Sequence, residues 1–220
     1  MCFNPFLLRL LMQTQSKEKT PGGWGHFEPH SEIPCLRTTN HGIATIETPE
    51  NPGPNPIIMN TMAHPGLKEP SQFMPDTPGA VFLSVSGHIS NMKYLLQAEE
   101  ENDWNLLARL FSEGNGVDFL RKSQGEYSIM WIEQRNPDIL FVASMHKLVS
   151  VVSMGNASHF LISTDGFVPK DLILSMLKEG FECFHTQINI IQRSLEYEAI
   201  YKIRIGSPPI HYIGVGRNHL

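Results

Sequence analysis

The chain has little of what would mark a secreted, metal-bound or nucleic-acid-binding protein. It has three cysteines, Cys2, Cys35 and Cys183. They are odd in number, far apart and without a CxxC pair, which excludes a disulfide framework and a zinc knuckle and fits a reducing compartment. Positive charge is not in excess. Against 22 Asp and Glu stand 17 Lys and Arg, a formal net charge of −5, and the cations are scattered, so no basic stripe is present to neutralise a phosphate backbone. No direct nucleic-acid ligand is expected. Long apolar runs are also missing. The opening MCFNPFLLRLLM carries Arg9 in its middle and has no basic segment before it. It is too short to span a bilayer and reads as a first strand and turn. These observations together predict a cytoplasmic protein with no membrane segment.

The composition that remains, 41% hydrophobic and 18% charged over 220 residues, suits one folded domain with a substantial core. Punctuation by Gly and Pro dominates residues 20–78, in TPGGWG, TPENPGPNP, HPGLKEP and MPDTPG. This half is expected to be loops and short strands that shape a site. From Ala80 onward the pattern changes. AVFLSVS is a buried-strand run, and leucines recur at helical spacing between residues 91 and 112, where helix is expected on one face or two. EYSIMWIEQ, DILFVAS, LVSVVS and HFLIST follow as four apolar runs separated by turn signals, which predicts an antiparallel meander. Residues 170–179 read as a further amphipathic helix, INIIQRS and EAIYKIRI as two more strands, and the tail after Gly206 as irregular. Strands and helices that come in groups argue an α+β fold.

The chemistry-bearing feature is the first pair of residues. A small residue after Met1 permits removal of the initiator, leaving Cys2 as the N-terminus. A terminal cysteine holds a thiol beside an α-amine whose reference pKa is about 7.7 to 8.0, so the amine can act as base for its own side chain. The competing account of the same residue is a buried cysteine on a first strand. The ten histidines include no HExxH motif, and neither a metal nor a cofactor is expected. Asn156 opens an N-x-S sequon, relevant only in a secretory setting.

The order of segments resembles the class II glutamine amidotransferases over residues 1–205, leaving residues 206–220 as an extension. The segments are MCF at the start, PGGWG at 21–25, MNTMAHPG at 59–66, SGHISNMKYL from Ser86, NDWNLLARL from Asn102, QGEYSIMWIEQRNPDILFVAS from Gln124, and LISTDG at 161–166. The resemblance implies a four-layer αββα N-terminal-nucleophile sandwich of two antiparallel sheets. It implies Cys2 as nucleophile and an oxyanion hole at the family's Asn-Gly turn, where Ser86 stands for the asparagine and Gly87 for the glycine. It implies a substrate site with Asp103 receiving the substrate ammonium, and with Thr61 and His64 on the segment where the family carries a carboxylate-binding arginine. Thr61 occupies the arginine's place, and Arg9, Arg37 or Lys68 are alternative cations. Asp103 equally suits a helix N-cap, SGH a plain turn, and Trp24 a structural role under a loop.

Three functions follow. One is glutamine hydrolysis, with ammonia passed to a separate synthetase partner. The second is hydrolysis of a related amide that lacks an α-carboxylate. The third is a degenerate, non-catalytic subunit.

Overall fold

The computed structural model describes residues 22–27, 34–39, 58–61, 72–73, 81–98, 104–154, 159–163, 191–195, 197–204 and 210–214. Side chains are described for residues 81–98, 105–151, 162, 195 and 197–204. The expected first strand at residues 1–12 and the expected helix at 170–179 lie outside them.

Among the described residues twelve strands form three sheets. The largest is built on β5 (Val81–Ile89), β6 (Gly125–Glu133) and β7 (Asn136–Met145), with β11 (Ala199–Ile203) and β12 (Ile210–Gly214) beyond β7 and β4 (Gln72–Phe73) beyond β5. All its pairings are antiparallel. Its central strands are apolar on both faces because both are covered. One face carries Val81, Leu83, Ile129, Trp131, Phe141 and Ala143 against helices α1 (Met92–Leu96), α2 (Trp104–Ser112) and α3 (Gly116–Lys122). Trp131 is the hub of this face. It stacks on Phe141 at 5.1 Å and 12°, and takes Phe111 of α2 edge-on at 5.1 Å and 75°, geometries that suit the ring quadrupoles.

The opposite face carries Phe82, Met130, Ile132, Leu140, Val142, Tyr201 and Ile203, packed with Val149, Val151 and Leu195. Val151 belongs to β8 (Ser150–Met154), the middle strand of a second sheet with β9 (His159–Ser163) and β10 (Ile191–Ser194). The third sheet has the order β2 (Pro34–Thr39), β1 (Gly22–Phe27), β3 (Ile58–Thr61), and β3 lies against β5 and β6.

Four sequence expectations change. The helical stretch at 91–112 is two helices: Gln97 adopts φ 51, and its amide and that of Ala98 bond back to Tyr94 and Lys93, closing α1 in a Schellman arrangement. The four apolar runs are two hairpins in different sheets, because His146 at φ 57 turns the chain out of β7 before β8 begins. The tail is not wholly irregular, since β12 pairs with β11. The glycines of PGGWG lie in β1, an extended strand between β2 and β3, although the sequence there reads as Gly and Pro punctuation.

Candidate functional site

The end of the large sheet where β5 finishes and β6 begins is held by backbone that only glycine accommodates. Gly87 has φ 104 and Gly125 φ 127. A Cβ on Gly87 would overlap the carbonyl oxygen of Glu126 and lie 2.8 Å from Tyr127 Cα. One on Gly125 would overlap the carbonyl oxygen of His88. The strands therefore approach more closely here than a side chain would allow. Asn91 then clamps the connection: its Oδ1 accepts from the Gln124 amide at 2.8 Å and its Nδ2 donates to the Lys122 carbonyl at 3.0 Å. Ser90 adds its amide at 2.9 Å and its hydroxyl at 3.1 Å, both to the Gln124 carbonyl. The SGHISN segment is thus fixed from both sides.

Next to this clamp the inner face of the sheet changes from apolar to polar. Ser86, Ser128 and Ser144 are direct cross-strand neighbours on β5, β6 and β7, so their side chains share one face. Ser144 donates its hydroxyl to the Lys147 carbonyl at 2.7 Å, and the Lys147 ammonium donates to Ser86 Oγ. Lys147 lies two residues past the end of β7, and its ammonium reaches β5 at Ser86. Ser128 is fully buried and its hydroxyl has no hydrogen-bond partner.

At the same end His146 Nε2 meets Glu198 Oε1 at 2.9 Å. Both residues hold left-handed backbone, φ 57 and 55, and the Glu198 amide donates to the Ser144 carbonyl at 2.7 Å. On the helix side of the sheet, Tyr127 OH and Ser123 Oγ are in close contact, and Ser123 Oγ also donates to the Leu120 carbonyl at 2.9 Å. Since a serine hydroxyl has one proton, the Tyr127 hydroxyl is the donor between them.

Of the residues expected to form a site, Ser86 is half-buried and Gly87 exposed at the end of β5. Thr61 is the last residue of β3, and only its backbone is described. Cys2, His64 and Asp103 lie outside the described residues. Lys147 and Ser128 were not foreseen. MHK reads as a turn and EYSIM as a strand; the register sets Ser128 opposite Ser86, and a side-chain contact brings Lys147 there. Among the described residues no group of three or more His, Cys, Asp or Glu is arranged to hold a metal, and no helix is long and apolar enough to cross a membrane.

No protein-family model matches the chain, and no curated protein matches it. Solved structures do. The glutamine phosphoribosylpyrophosphate (PRPP) amidotransferase from B. subtilis, complexed with ADP and GMP, superposes with a TM-score of 0.68 at 14% identity, covering 97% of this chain and 47% of that one. A structure of the allosteric regulatory enzyme of purine biosynthesis gives 0.66 at 12% identity, covering 98% of this chain and 46% of that one. The chain spans just under half the length of each. At such identities the likeness shows the fold alone, one that this chain shares with the matching part of each of those two structures.

Proposed function

We propose that this amidotransferase-like fold hydrolyses the side-chain amide of glutamine through Cys2, within a four-layer αββα arrangement, and that the ammonia passes to a synthetase partner. The observation that carries the reading is the superposition over 97% of the chain, joined to the glycine-only geometry of Gly87 at the turn where the resemblance puts an oxyanion hole. Support by fold is analogy, and the residues supply the chemistry.

In this reading the Cys2 α-amine takes the thiol proton and the thiolate attacks the amide carbon. The C=O electron pair moves to oxygen, and the Gly87 amide and Ser86 receive that oxyanion. Donors placed this way are each worth about a hundredfold to a thousandfold in rate. Collapse expels the nitrogen, protonated by the α-amine, as ammonia. Water then attacks the glutamyl thioester, giving glutamate and the free thiol. Asp103 receives the substrate ammonium, with Thr61 and His64 alongside.

Thr61 in the place of the family's arginine favours a second reading, in which the substrate is an amide without an α-carboxylate. An arginine fork is the side chain that pairs bidentately with a carboxylate, and threonine cannot replace it.

The test is intact mass before and after diazo-oxo-norleucine, with Cys2→Ala as control. Loss of Met1 and one adduct that vanishes in the control is the expected result. A retained Met1, or a processed protein that stays unlabelled, removes the glutaminase reading.

A further inference from the structure

Asparagine at the start of a helix ordinarily closes the first turn with its own side chain, a contact worth about 0.5–2 kcal/mol. Asn91 stands at that position on α1 and makes no such bond. Both ends of its side chain turn instead to the chain between α3 and β6, where Oδ1 accepts from the Gln124 amide and Nδ2 donates to the Lys122 carbonyl. A backbone N–H only donates and a carbonyl only accepts, so these partners leave the side-chain amide one orientation. Lys122 and Gln124 lie 31 and 33 residues further along the chain. A local preference is given up for a contact between distant elements, an exchange that marks functional geometry more than stability.

What the contact holds is the end of β5. Back from Asn91, Ile89 pairs with Gly125, His88 with Glu126 and Gly87 with Tyr127. Gly87 and Gly125 both have positive φ, and a Cβ on either would overlap a carbonyl oxygen of the facing strand. Glycine has several backbone states open to it, so the direction of the Gly87 N–H is not set by Gly87 itself. The anchors on either side set it. Upstream these are the apolar residues Val81, Leu83 and Val85 in the core, and downstream they are Asn91 and Ser90 on Gln124.

We propose that Asn91 is a positioning residue for the Gly87 amide: by joining the β5–α1 connection to the α3–β6 connection, it fixes the direction in which that N–H points. Asn91 acts through Gly87 and not on the substrate. The catalytic meaning rests on the glutamine-hydrolysis reading above; the coupling of Asn91 to Gly87 does not.

Asn91→Ser is the informative variant. Serine caps a helix about as well as asparagine but is too short to make both contacts, so thermal unfolding should stay near that of the parent. Asn91→Asp keeps an oxygen toward the Gln124 amide and sets a second one against the Lys122 carbonyl. The dipeptide Ser-Gly occurs once in the sequence, at Ser86 and Gly87. Serine labelled with carbon-13 at its carbonyl, combined with nitrogen-15 glycine, therefore isolates the Gly87 amide in an NMR spectrum of the full chain. Its resonance should shift in both variants. An unmoved resonance in either folded variant overturns the proposal whatever the activity, and failure of both to fold makes Asn91 a residue of the fold only.

Glutamine hydrolysis, counted per site labelled by diazo-oxo-norleucine, separates positioning from stability. A misdirected donor should lower kcat by about tenfold or more, up to the hundredfold of a lost oxyanion donor, at constant KM. The parent's kcat per labelled site, or a change in KM alone, counts against the proposal. Labelling of the parent with an unmoved Gly87 resonance in the variants removes this proposal alone. A shifted resonance in a protein that diazo-oxo-norleucine does not label keeps the coupling and removes the glutaminase reading.

Discussion

The two faces of the large sheet are made by the same strands and do opposite things. On the helix side Val81, Leu83, Ile129, Trp131, Phe141 and Ile200 are apolar and buried, and contact there is stabilising. On the other side the same strands begin apolar, with Phe82, Met130, Leu140 and Val142, and end in serines at 86, 128 and 144, with the Lys147 ammonium on the first of them. The helix face is organised for stability. The far end of the inner face gives up stability for polar groups, one of them unsatisfied, which is the pattern of a site built into a core.

Truncating the hub of the stable face should have the largest effect. Trp131→Ala is expected to cost about 3–5 kcal/mol, read as a lower denaturant midpoint. A cost well below that range would mean that the helices rest on the sheet without depending on it.

Gly87→Ala comes next. A left-handed backbone angle with a side chain costs about 1–3 kcal/mol, and the overlap with the Glu126 carbonyl forces β5 and β6 apart. Glutamine hydrolysis should fall more than the loss of folded protein explains, as measured by activity per folded molecule. Equal losses would show that the turn serves the fold only.

Ser128→Ala should move in the other direction. Removing an unsatisfied buried hydroxyl is expected to raise stability by about 1 kcal/mol, read as a higher denaturant midpoint. A less stable variant would place Ser128 with the ordinary core and erase the contrast between the two faces.

Arg109→Ala sets the lower bound. Its ion pair with Glu113 spans 3.0 Å between half-exposed side chains, and such pairs contribute about 0–1 kcal/mol. Urea unfolding of this variant should barely differ from the parent.

Much of the frame was legible in order and period. β5 through β7 and the two runs that became β8 and β9 each stand out as apolar stretches between turn residues, and helices follow where leucines recur. The α+β grouping and the amidotransferase resemblance came from the same reading, and the superposition agrees at the level of fold. The site was legible only in part. Ser86 and Gly87 are neighbours in the chain and carry their own local signal. Ser128 lies 42 residues beyond Ser86 and Lys147 lies 61 beyond it, and nothing in either local pattern links them.

What the sequence by itself determined is which segments are strand or helix, because side-chain period and turn chemistry act within a few residues of each position. Tertiary structure alone decided which strands share a sheet and which residues share a row. A left-handed residue at His146 diverts the chain into a second sheet. Antiparallel register then places Ser86, Ser128 and Ser144 side by side, within reach of one lysine.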